Sequence, residues 1–333
     1  MRYTVATKVK NEGAFLLEWV AWQKMLGFDD ILVVHNDCDP VFKEMLACLD
    51  AAGWITAQEH FPNEGRLPGP SAQRCIKKHP LVKRTDWFFL CDVDEYLVIH
   101  DGDHTVPSFL KDRHLRETGF VVQWKTFGTS DKHSWKDKFL HRTFTNAAET
   151  KHSANMFYKS FIYQPRNFKR LGAHEPYGFK GEGDWGTGSN VFHRANGDYF
   201  NFDPNGDPKM RVNPNWVSHE GAQLNHYITK WFECFSAKVG NPSLYNRPAK
   251  NRYSANFFER YNRNEVKDKS ALALKNRFQP IYDSLLQVPG LKALHHMNCA
   301  LYVKMLNDVT GSDVNDDMRY LAHMQAARAA MPE

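Results

Sequence analysis

The first hundred residues alternate between short continuous apolar runs and segments in which apolar residues recur every three or four positions. Continuous runs of this length are typical of strands buried on both faces, and the spaced pattern predicts amphipathic helices. Gly27 and Gly53 follow two of the helical segments, as expected at helix ends. The predicted strands cover 3–7, 31–34, 54–57 and 87–90, and the predicted helices cover 15–26, 41–52 and 71–78. This order predicts an α/β fold with a mostly parallel sheet and helices on both of its faces.

The pattern becomes less regular after residue 95. Strands are predicted at 120–124 and 159–163, and residues 170–220 have the Gly-, Asn- and Pro-rich composition of structured loops that carry binding sites. A helical pattern returns near the C-terminus, and the predicted helices there cover 255–261, 266–278, 280–287 and 291–306. We therefore divide the chain into an α/β domain over residues 1–240 and a helical extension over residues 241–333.

Composition narrows the class of protein. With 42% hydrophobic and 24% charged residues, the 333-residue chain is typical of a folded protein and not of a disordered one. The net charge of +5 is spread along the chain, so no nucleic-acid-binding face is predicted. No apolar run approaches the ~18 residues of a transmembrane helix, and the first residues enter a strand pattern directly. We therefore expect a cytoplasmic protein with reduced cysteines. If its acceptor is membrane-bound, that acceptor would bring the protein to a membrane surface. The oligomeric state is not predicted.

The apolar run at 87–91 leads directly into Asp92, Val93, Asp94 and Glu95. Ligands of open parallel sheets bind beyond the carboxyl ends of the strands, so these acids are predicted to lie at a binding site. Period-two alternation would place Asp92 and Asp94 on one side, where their mutual repulsion calls for a cation. A divalent ion held by carboxylates and substrate phosphates would meet that need. The alternative interpretation is a strand end with solvated acids.

Several motifs together resemble the family-2-like glycosyltransferases, and in particular the branch related to glycosyltransferase family 92. The resemblance covers roughly residues 5–240, with motifs in the expected order. It is carried by 9–20, 26–28, 33–37, 87–97, 124–130, His141-Arg142, Lys159, 172–174, 225–230 and Lys238. It implies a GT-A fold, which is Rossmann-like, and transfer of a sugar from a nucleotide-diphosphate-sugar donor to an acceptor hydroxyl.

The resemblance also implies a divalent metal ion, Mn²⁺ or Mg²⁺, on the donor diphosphate. In similar enzymes the second aspartate contacts the metal and the first binds ribose or metal-bound water, which assigns the ion to Asp94 and a shared role to Asp92. A C-terminal histidine often completes the metal site, so His226 is the expected third ligand, although a packing role is the default for a lone histidine. Lys230 and Lys238 follow at spacings of four and twelve, which would place them on one helix face as a phosphate clamp.

The nucleoside is expected across the ends of the first two strands. Thr7, Asn11 and Glu12 offer donors and acceptors there, and so does the pair Asn36 and Asp37. The usual Asp-Asp-Gly-Ser-type loop is replaced by the sequence 35–39, His-Asn-Asp-Cys-Asp, which leaves open whether Asp37 or Asp39 faces a base.

Two arginines flank a Gly/Pro-rich loop near the expected phosphates. Arg66 and Arg74 are candidate phosphate ligands or, equally, solvated surface cations.

An inverting transfer needs a base near the acceptor hydroxyl. The usual Glu-Asp pair of these enzymes is not recognisable. Asp131 is the first candidate base, Glu175 and His174 are the next, and Asp184 is a weaker one. Residues 181–186 match a dinucleotide fingerprint, but no clear strand precedes them, so a flexible loop is the preferred interpretation.

Aromatic and histidine residues add weaker candidates. Trp185 and Trp216 are possible sugar-stacking residues. The other histidines, including His133, His141 and the pair 295–296, lack the spacing of a zinc site.

The sequence therefore predicts a metal-dependent glycosyltransferase of polysaccharide biosynthesis that uses a UDP-sugar donor. The acceptor would be a hydroxyl of a glycan or glycolipid, and the transfer would invert the anomeric centre by direct displacement. A noncatalytic nucleotide- or sugar-binding module on the same fold is the alternative, favoured by the missing base pair. A nucleotidyltransferase is a weaker alternative, because residues 8–12 are not the expected Gly-rich phosphate loop.

Overall fold

The N-terminal part of the chain alternates strands and helices as its apolar pattern predicts. The computed structural model describes residues 1–62, 65, 67–239 and 253–331. The first elements are β1 (Tyr3–Val9), α1 (Gly13–Met25), β2 (Asp30–His35), α2 (Pro40–Ala51), β3 (Thr56–Glu59), α3 (Pro68–Lys78), α4 (Pro80–Arg84) and β4 (Trp87–Leu90). These strands pair in the order β3-β2-β1-β4, and every pairing among them is parallel. Their carboxyl ends therefore meet at one edge of the sheet.

The middle of the chain extends this sheet. Its elements are β5 (Glu95–Ile99), α5 (Val106–Phe109), β6 (Gly119–Thr126), α6 (Leu140–Thr143), β7 (Asn146–Ala147), β8 (Tyr158–Tyr163), β9 (Phe168–Leu171), β10 (Pro176–Phe179), β11 (Phe192–Arg194), β12 (Tyr199–Phe200) and β13 (Ala222–His226). Strand β8 lies antiparallel between β4 and β6, so β6 runs in the same direction as β4. Strand β13 pairs in parallel with the end of β6. The carboxyl ends of β1, β4, β6 and β13 and the amino end of β8 therefore share one edge.

Both faces of the sheet are covered. Along β1, Val5 and Val9 belong to the hydrophobic core shared with α1 and α2, whereas Ala6 belongs to the core shared with α3. Strand β4 alternates in the same way, with Phe89 in the first core and Phe88 in the second. This period of two explains why the run at 87–90 is continuously apolar: both faces are buried.

Two of the C-terminal helices pack against the N-terminal helices α1 and α2. The final elements are α7 (Phe232–Ser236), α8 (Ala255–Tyr261), β14 (Val266–Lys267), α9 (Ser270–Ala273), α10 (Lys275–Leu285), α11 (Leu291–Thr310) and α12 (Met318–Ala329). Phe278 of α10 and Tyr302 of α11 contact Trp22 and Phe15 of α1, with ring centroids 6.1 and 5.1 Å apart. The predicted division at residue 240/241 lies outside the described residues and stays a prediction.

The prediction of one helix over 266–278 is wrong. Residues 266–267 pair with β7, and a helix begins only at Ser270, whose backbone N–H donates to Asp268 Oδ1 at 2.9 Å. The predicted break before Pro280 is also wrong, because Pro280 lies inside α10.

The predicted α/β class is confirmed. The structure has a large, mostly parallel sheet flanked by helices, followed by a C-terminal helical segment, and the GT-A assignment stays a prediction. Within the described ranges, no helix combines the length and the apolar character needed to span a bilayer.

Candidate functional site

Asp92 lies at the carboxyl end of β4, opposite the end of β1. The parallel register pairs Ala6 of β1 with Leu90, the last residue of β4. Just beyond this pair Lys8 meets Asp92, with Nζ 2.7 Å from Oδ1. Lys8 is not among the residues predicted for the site, although a lysine at the end of an otherwise apolar strand is a visible signal.

The acidic motif forms a turn and not a continued strand. The Glu95 N–H donates to the Asp92 carbonyl at 3.0 Å, and the Asp92 N–H donates to Glu95 Oε2 at 2.8 Å. This turn reverses the chain into β5, so strand alternation does not set the directions of Asp92 and Asp94. The prediction that period-two alternation places Asp92 and Asp94 on one side is therefore corrected: a turn, and not a strand, sets the directions of the two side chains.

Lys159, from the amino end of β8, is buried between two carboxylates. Its Nζ lies 3.1 Å from Asp92 Oδ2 and 3.1 Å from Glu95 Oε2. Burial opposes ionisation of Asp92, but Lys159 and Lys8 outweigh it and hold the pKa of Asp92 well below its usual range. Glu95 also accepts from Trp124 Nε1 at 2.8 Å, and burial raises its pKa to about 7. Asp92 is therefore a fixed anion held by two ammonium groups.

Asp94 faces a second set of cations. Its carboxylate oxygens lie 3.7 Å from His226 Nε2 and 3.9 Å from Lys238 Nζ. Burial opposes ionisation of Asp94, yet His226, Lys238 and Lys230 together lower its pKa below the usual value. The Tyr227 N–H donates to the Asp94 carbonyl at 2.9 Å, which fixes this turn against the end of β13.

Lys230 and Lys238 lie near the acids, but not on one helix face as the spacing predicts. His226 ends β13, and the helix that follows covers only 232–236. Lys230 has a left-handed backbone conformation, with φ of 51°, and its buried side chain lies 3.6 Å from Glu12 Oε2 and 3.7 Å from the Phe15 ring centroid. The clamp is therefore built from an irregular segment that joins β13 to a short helix.

Asp94 and His226 offer two ligand atoms for a divalent ion. Asp94 Oδ1 and His226 Nε2 are 3.7 Å apart, within the span of about 4 Å that two ligand bonds of about 2.1 Å can bridge. Both oxygens of Asp92 are instead paired with lysines. Although all three residues are in the described ranges, Asp92, Asp94 and His226 do not bring three ligand atoms within 4.8 Å of one another. Asp94 and His226 are therefore the residues that would hold the ion. Asp92 would support them without contacting it.

Thr7 and Asn11 lie at the end of β1. Thr7 is fully buried, on the face opposite Lys8, so its hydroxyl is closed to solvent and the geometry disfavours its predicted nucleotide contact. Asn11 is exposed, and its Oδ1 accepts from the Asp39 N–H at 2.7 Å. Asp39 in turn caps α2 by accepting from the Val41 N–H at 2.9 Å. This favours Asp37, whose side chain is exposed, over Asp39 as the residue that faces a base.

The other predicted nucleotide ligands are exposed, apart from the half-buried Asn36. Asn36 and Asp37 follow β2, and Asp37 forms an ion pair with Lys10. Arg74 is exposed on α3, which packs against β1 and β2. Arg66 lies outside the described residues. The use of these residues in binding stays a prediction.

The three candidate bases lie in different surroundings. Asp131 is exposed in the loop after β6. His174 Nδ1 is 2.7 Å from the Tyr158 carbonyl oxygen, so Nδ1 carries the proton and Nε2 is the basic nitrogen. Burial and the nearby Lys159 lower the pKa of His174 to about 3.

Glu175 is the least accessible of the three. It is buried, and its carboxylate accepts from the Tyr158 hydroxyl and from the backbone N–H groups of Lys209 and Met210. These bonds occupy the carboxylate and make a structural role for Glu175 the better interpretation.

The loop candidates separate into packing and exposed residues. Trp185 is half-buried and packs against core phenylalanines, and its Nε1 donates to the Phe202 carbonyl at 2.6 Å, which favours a packing role. Trp216 is 59% exposed and stays available for stacking. Asp184 is exposed in an irregular loop, which agrees with the discounted dinucleotide fingerprint.

Comparisons with known proteins give structural matches only. No protein-family model and no curated protein matches the chain. The solved structure of S. aureus TarS 1-349 in complex with UDP-GlcNAc matches over 99% of this chain and 93% of its own, at 11% identity and a TM-score of 0.32. A longer S. aureus TarS structure matches over 98% and 55%, at 10% identity and a TM-score of 0.35. A putative glucose-1-phosphate thymidylyltransferase from Bacillus anthracis matches over 53% and 68%, at 8% identity and a TM-score of 0.27.

The site is a cluster of opposite charges at the carboxyl edge of the sheet. Lys8, Lys159, Lys230 and Lys238 lie against the carboxylates of Asp92, Glu95, Glu12 and Asp94, and His226 adjoins Asp94. A polyanionic ligand that displaces these carboxylate partners can be bound by the cations around Asp94.

Proposed function

We propose that this protein is a glycosyltransferase that moves a sugar from a nucleotide-diphosphate-sugar, a UDP-sugar in particular, to a hydroxyl of a glycan or glycolipid. The observation that carries the proposal is the position of Asp94 among His226, Lys230 and Lys238, beside the ends of β1 and β4. Parallel sheets bind nucleotides at this edge.

The charges favour a diphosphate as the ligand. Lys230 and Lys238 make long ion pairs, 3.6 Å to Glu12 and 3.9 Å to Asp94. Phosphate oxygens can replace these contacts with shorter, charge-assisted hydrogen bonds. A diphosphate leaving group gains charge as its bond to the sugar breaks, so these cations would stabilise the transition state more than the bound donor.

A divalent ion is part of the proposal, with Asp94 and His226 as its protein ligands. When bound, Mg²⁺ or Mn²⁺ supplies Lewis-acid stabilisation of the diphosphate charge. Asp92 contributes by holding the turn that presents Asp94, through its backbone bonds with Glu95.

We assign the base to Asp131. The acceptor hydroxyl oxygen would attack the anomeric carbon while its proton passes to the Asp131 carboxylate, and the electron pair of the broken C–O bond would remain on the diphosphate. Asp131 is exposed on the loop after β6, the strand that ends beside His226. The alternatives are weaker bases, because Glu175 is occupied and the pKa of His174 is about 3.

The test is nucleotide release from a panel of UDP- and GDP-sugars, measured with Mn²⁺, with Mg²⁺ and with a chelator. We expect one donor to be consumed only with metal. Asp94→Asn should lower turnover by about 10²–10³-fold, and Asp131→Asn by about 10²–10⁴-fold in the presence of an acceptor. Asp101→Asn, an exposed carboxylate after β5, is the matched control and should retain activity.

Donor binding is measured in parallel by calorimetry. A donor that binds the parent protein and is never consumed with any acceptor would favour the noncatalytic binding module. The absence of any donor binding in the presence of metal would overturn both functions.

A further inference from the structure

A second group of metal-ligating side chains lies outside the donor site, where the segment after β6 meets the C-terminal helices. Asp137, His295 and Cys299 each offer one ligand atom, and these three atoms lie within 4.8 Å of one another. His295 and Cys299 are one helical turn apart on α11, so they lie on the same face of that helix. Asp137 reaches them from a position 158 residues away along the chain.

The distances match those around a tetrahedral ion. His295 Nε2 lies 3.2 Å from Asp137 Oδ2 and 3.6 Å from Cys299 Sγ. Tetrahedral zinc, with bonds of about 2.0–2.1 Å to nitrogen and oxygen and about 2.3 Å to sulfur, separates its ligands by about 3.3 Å for N···O and about 3.6 Å for N···S. The same nitrogen faces both partners, as it must if one ion is to join all three.

We infer that Asp137, His295 and Cys299 form a binding site for a borderline divalent transition metal such as Zn²⁺. A thiolate and an imidazole select such an ion over Mg²⁺ or Mn²⁺, which prefer oxygen ligands. The site is therefore chemically different from the Asp94 and His226 pair proposed for the donor.

The surroundings suit a structural ion with one open position. His295 and Cys299 are buried, whereas the Asp137 side chain is 34% exposed and lines a surface cavity of about 670 Å³. Water can therefore complete the coordination from the side of Asp137. The metal would fasten residues 136–138 to α11 and so join the C-terminal helices to the sheet.

A more exposed histidine pair adjoins the site. His296 and His323 also come within 4.8 Å of Asp137, and their Nδ1 atoms are 3.2 Å apart. Asp137 is therefore within reach of histidines from both α11 and α12.

The experiment is cobalt titration of the full chain after its metal has been removed with a chelator. Co²⁺ bound to a thiolate gives a charge-transfer band in the near ultraviolet, and tetrahedral Co²⁺ gives intense visible bands. We expect both on stoichiometric addition to the parent protein, and we expect Zn²⁺ to displace them.

Variants identify the ligands. Cys299→Ser should abolish the charge-transfer band, and Cys234→Ser, which removes another buried thiol, should retain it. Asp137→Asn, at a half-exposed position that tolerates substitution, should weaken Co²⁺ binding by at least about tenfold. Asp94→Asn should leave the bands unchanged, because that residue belongs to the donor site.

Three results would overturn the inference: no thiolate band in the folded parent, a band that persists in Cys299→Ser, or a band lost in Asp94→Asn. In the first case the three side chains form only a hydrogen-bonded ion pair with an adjacent thiol. Circular dichroism of each variant verifies that it is folded, and none of these readouts depends on sugar transfer.

Discussion

Lys159 is the cation that lies between the Asp92 and Glu95 carboxylates beneath the candidate site. Its ammonium group is 3.1 Å from both, and its side chain is only 1% exposed. Glu95 is fully buried whereas Asp92 is partly exposed, so without this cation Glu95 would face the Asp92 charge with no water to screen it. Lys159 therefore supports the turn that presents Asp94, although it lies behind the surface that a donor would contact.

Replacing Lys159 with methionine should destabilise the protein by about 1–3 kcal/mol, because Glu95 and Asp92 both lose a buried ammonium partner and Glu95, with a pKa of about 7, then takes up a proton. The free energy of unfolding in urea measures the loss. Lys8→Met is the matched control: it removes the other cation on Asp92 but leaves Lys159 in place, so its effect should be smaller. Equal losses for the two variants would contradict this account.

His174 should make the protein sensitive to mild acid. Burial lowers its pKa to about 3, whereas in the unfolded chain the pKa is near its ordinary value of 6.5. Between these values the unfolded chain binds more protons, so stability is fully present above about pH 6.5 and is lost as the pH falls towards 3.

The test compares the parent with His174→Asn, in which the amide N–H can still donate to the Tyr158 carbonyl but does not titrate. The parent should lose up to about 2 kcal/mol more than the variant between about pH 7 and pH 5. Parallel stability profiles for the two proteins over this range would refute the prediction.

At the scale of elements, the sequence predicts the strands and helices that carry strong periodicity and misses the contacts between distant segments. The β1 to β4 alternation is visible because each element buries its own apolar pattern. The turn after β4 is not visible, because it depends on hydrogen bonds between Asp92 and Glu95. The helix predicted over 266–278 fails for a similar reason: residues 266–267 pair with β7, which lies far away along the chain.

In the candidate site, too, the sequence predicts what depends on local pattern and misses what depends on contacts between distant segments. Asp92 and Asp94 can be found from sequence because they follow a buried strand. The partnership of Lys8 with Asp92 requires the parallel register of β1 and β4. The position of Lys159 requires β8 to run antiparallel beside β4. Charge partners brought together by strand pairing carry no local signal in the chain.

Helices α1 and α11 should be sensitive to the size of residue 13. A Cβ atom on Gly13 would collide with the side chain of Asn298, so the two helices can approach this closely only with glycine there. Gly13→Ala should therefore cost about 1–3 kcal/mol in the free energy of unfolding.

A double-mutant cycle with Asn298→Gly tests the cause. Removing the Asn298 side chain should make Gly13→Ala much less costly, because the collision is relieved. If the alanine is equally destabilising in both backgrounds, the helix contact is not its cause.

At the scale of the whole molecule, the C-terminal helices and the sheet-bearing part share one hydrophobic core. Phe278 of α10 is fully buried, and its ring packs against Trp22 of α1, His141 and Phe139. Unfolding of α10 would therefore expose part of the core that also supports α1 and, through it, β1.

Phe278→Ala should consequently destabilise the entire described fold by about 3–5 kcal/mol and not only the C-terminal helices. Hydrogen exchange measured by mass spectrometry can separate these cases, because amides that exchange through global unfolding all lose protection by the same free energy. We expect peptides from β1 and α1 to lose as much protection as peptides from α10. Met318→Ala, at an exposed position on α12, is the control and should change neither set. If protection falls in the C-terminal helices alone, these helices form a separate cooperative unit, and the predicted division near residue 240 would describe the energetics better than the shared core does.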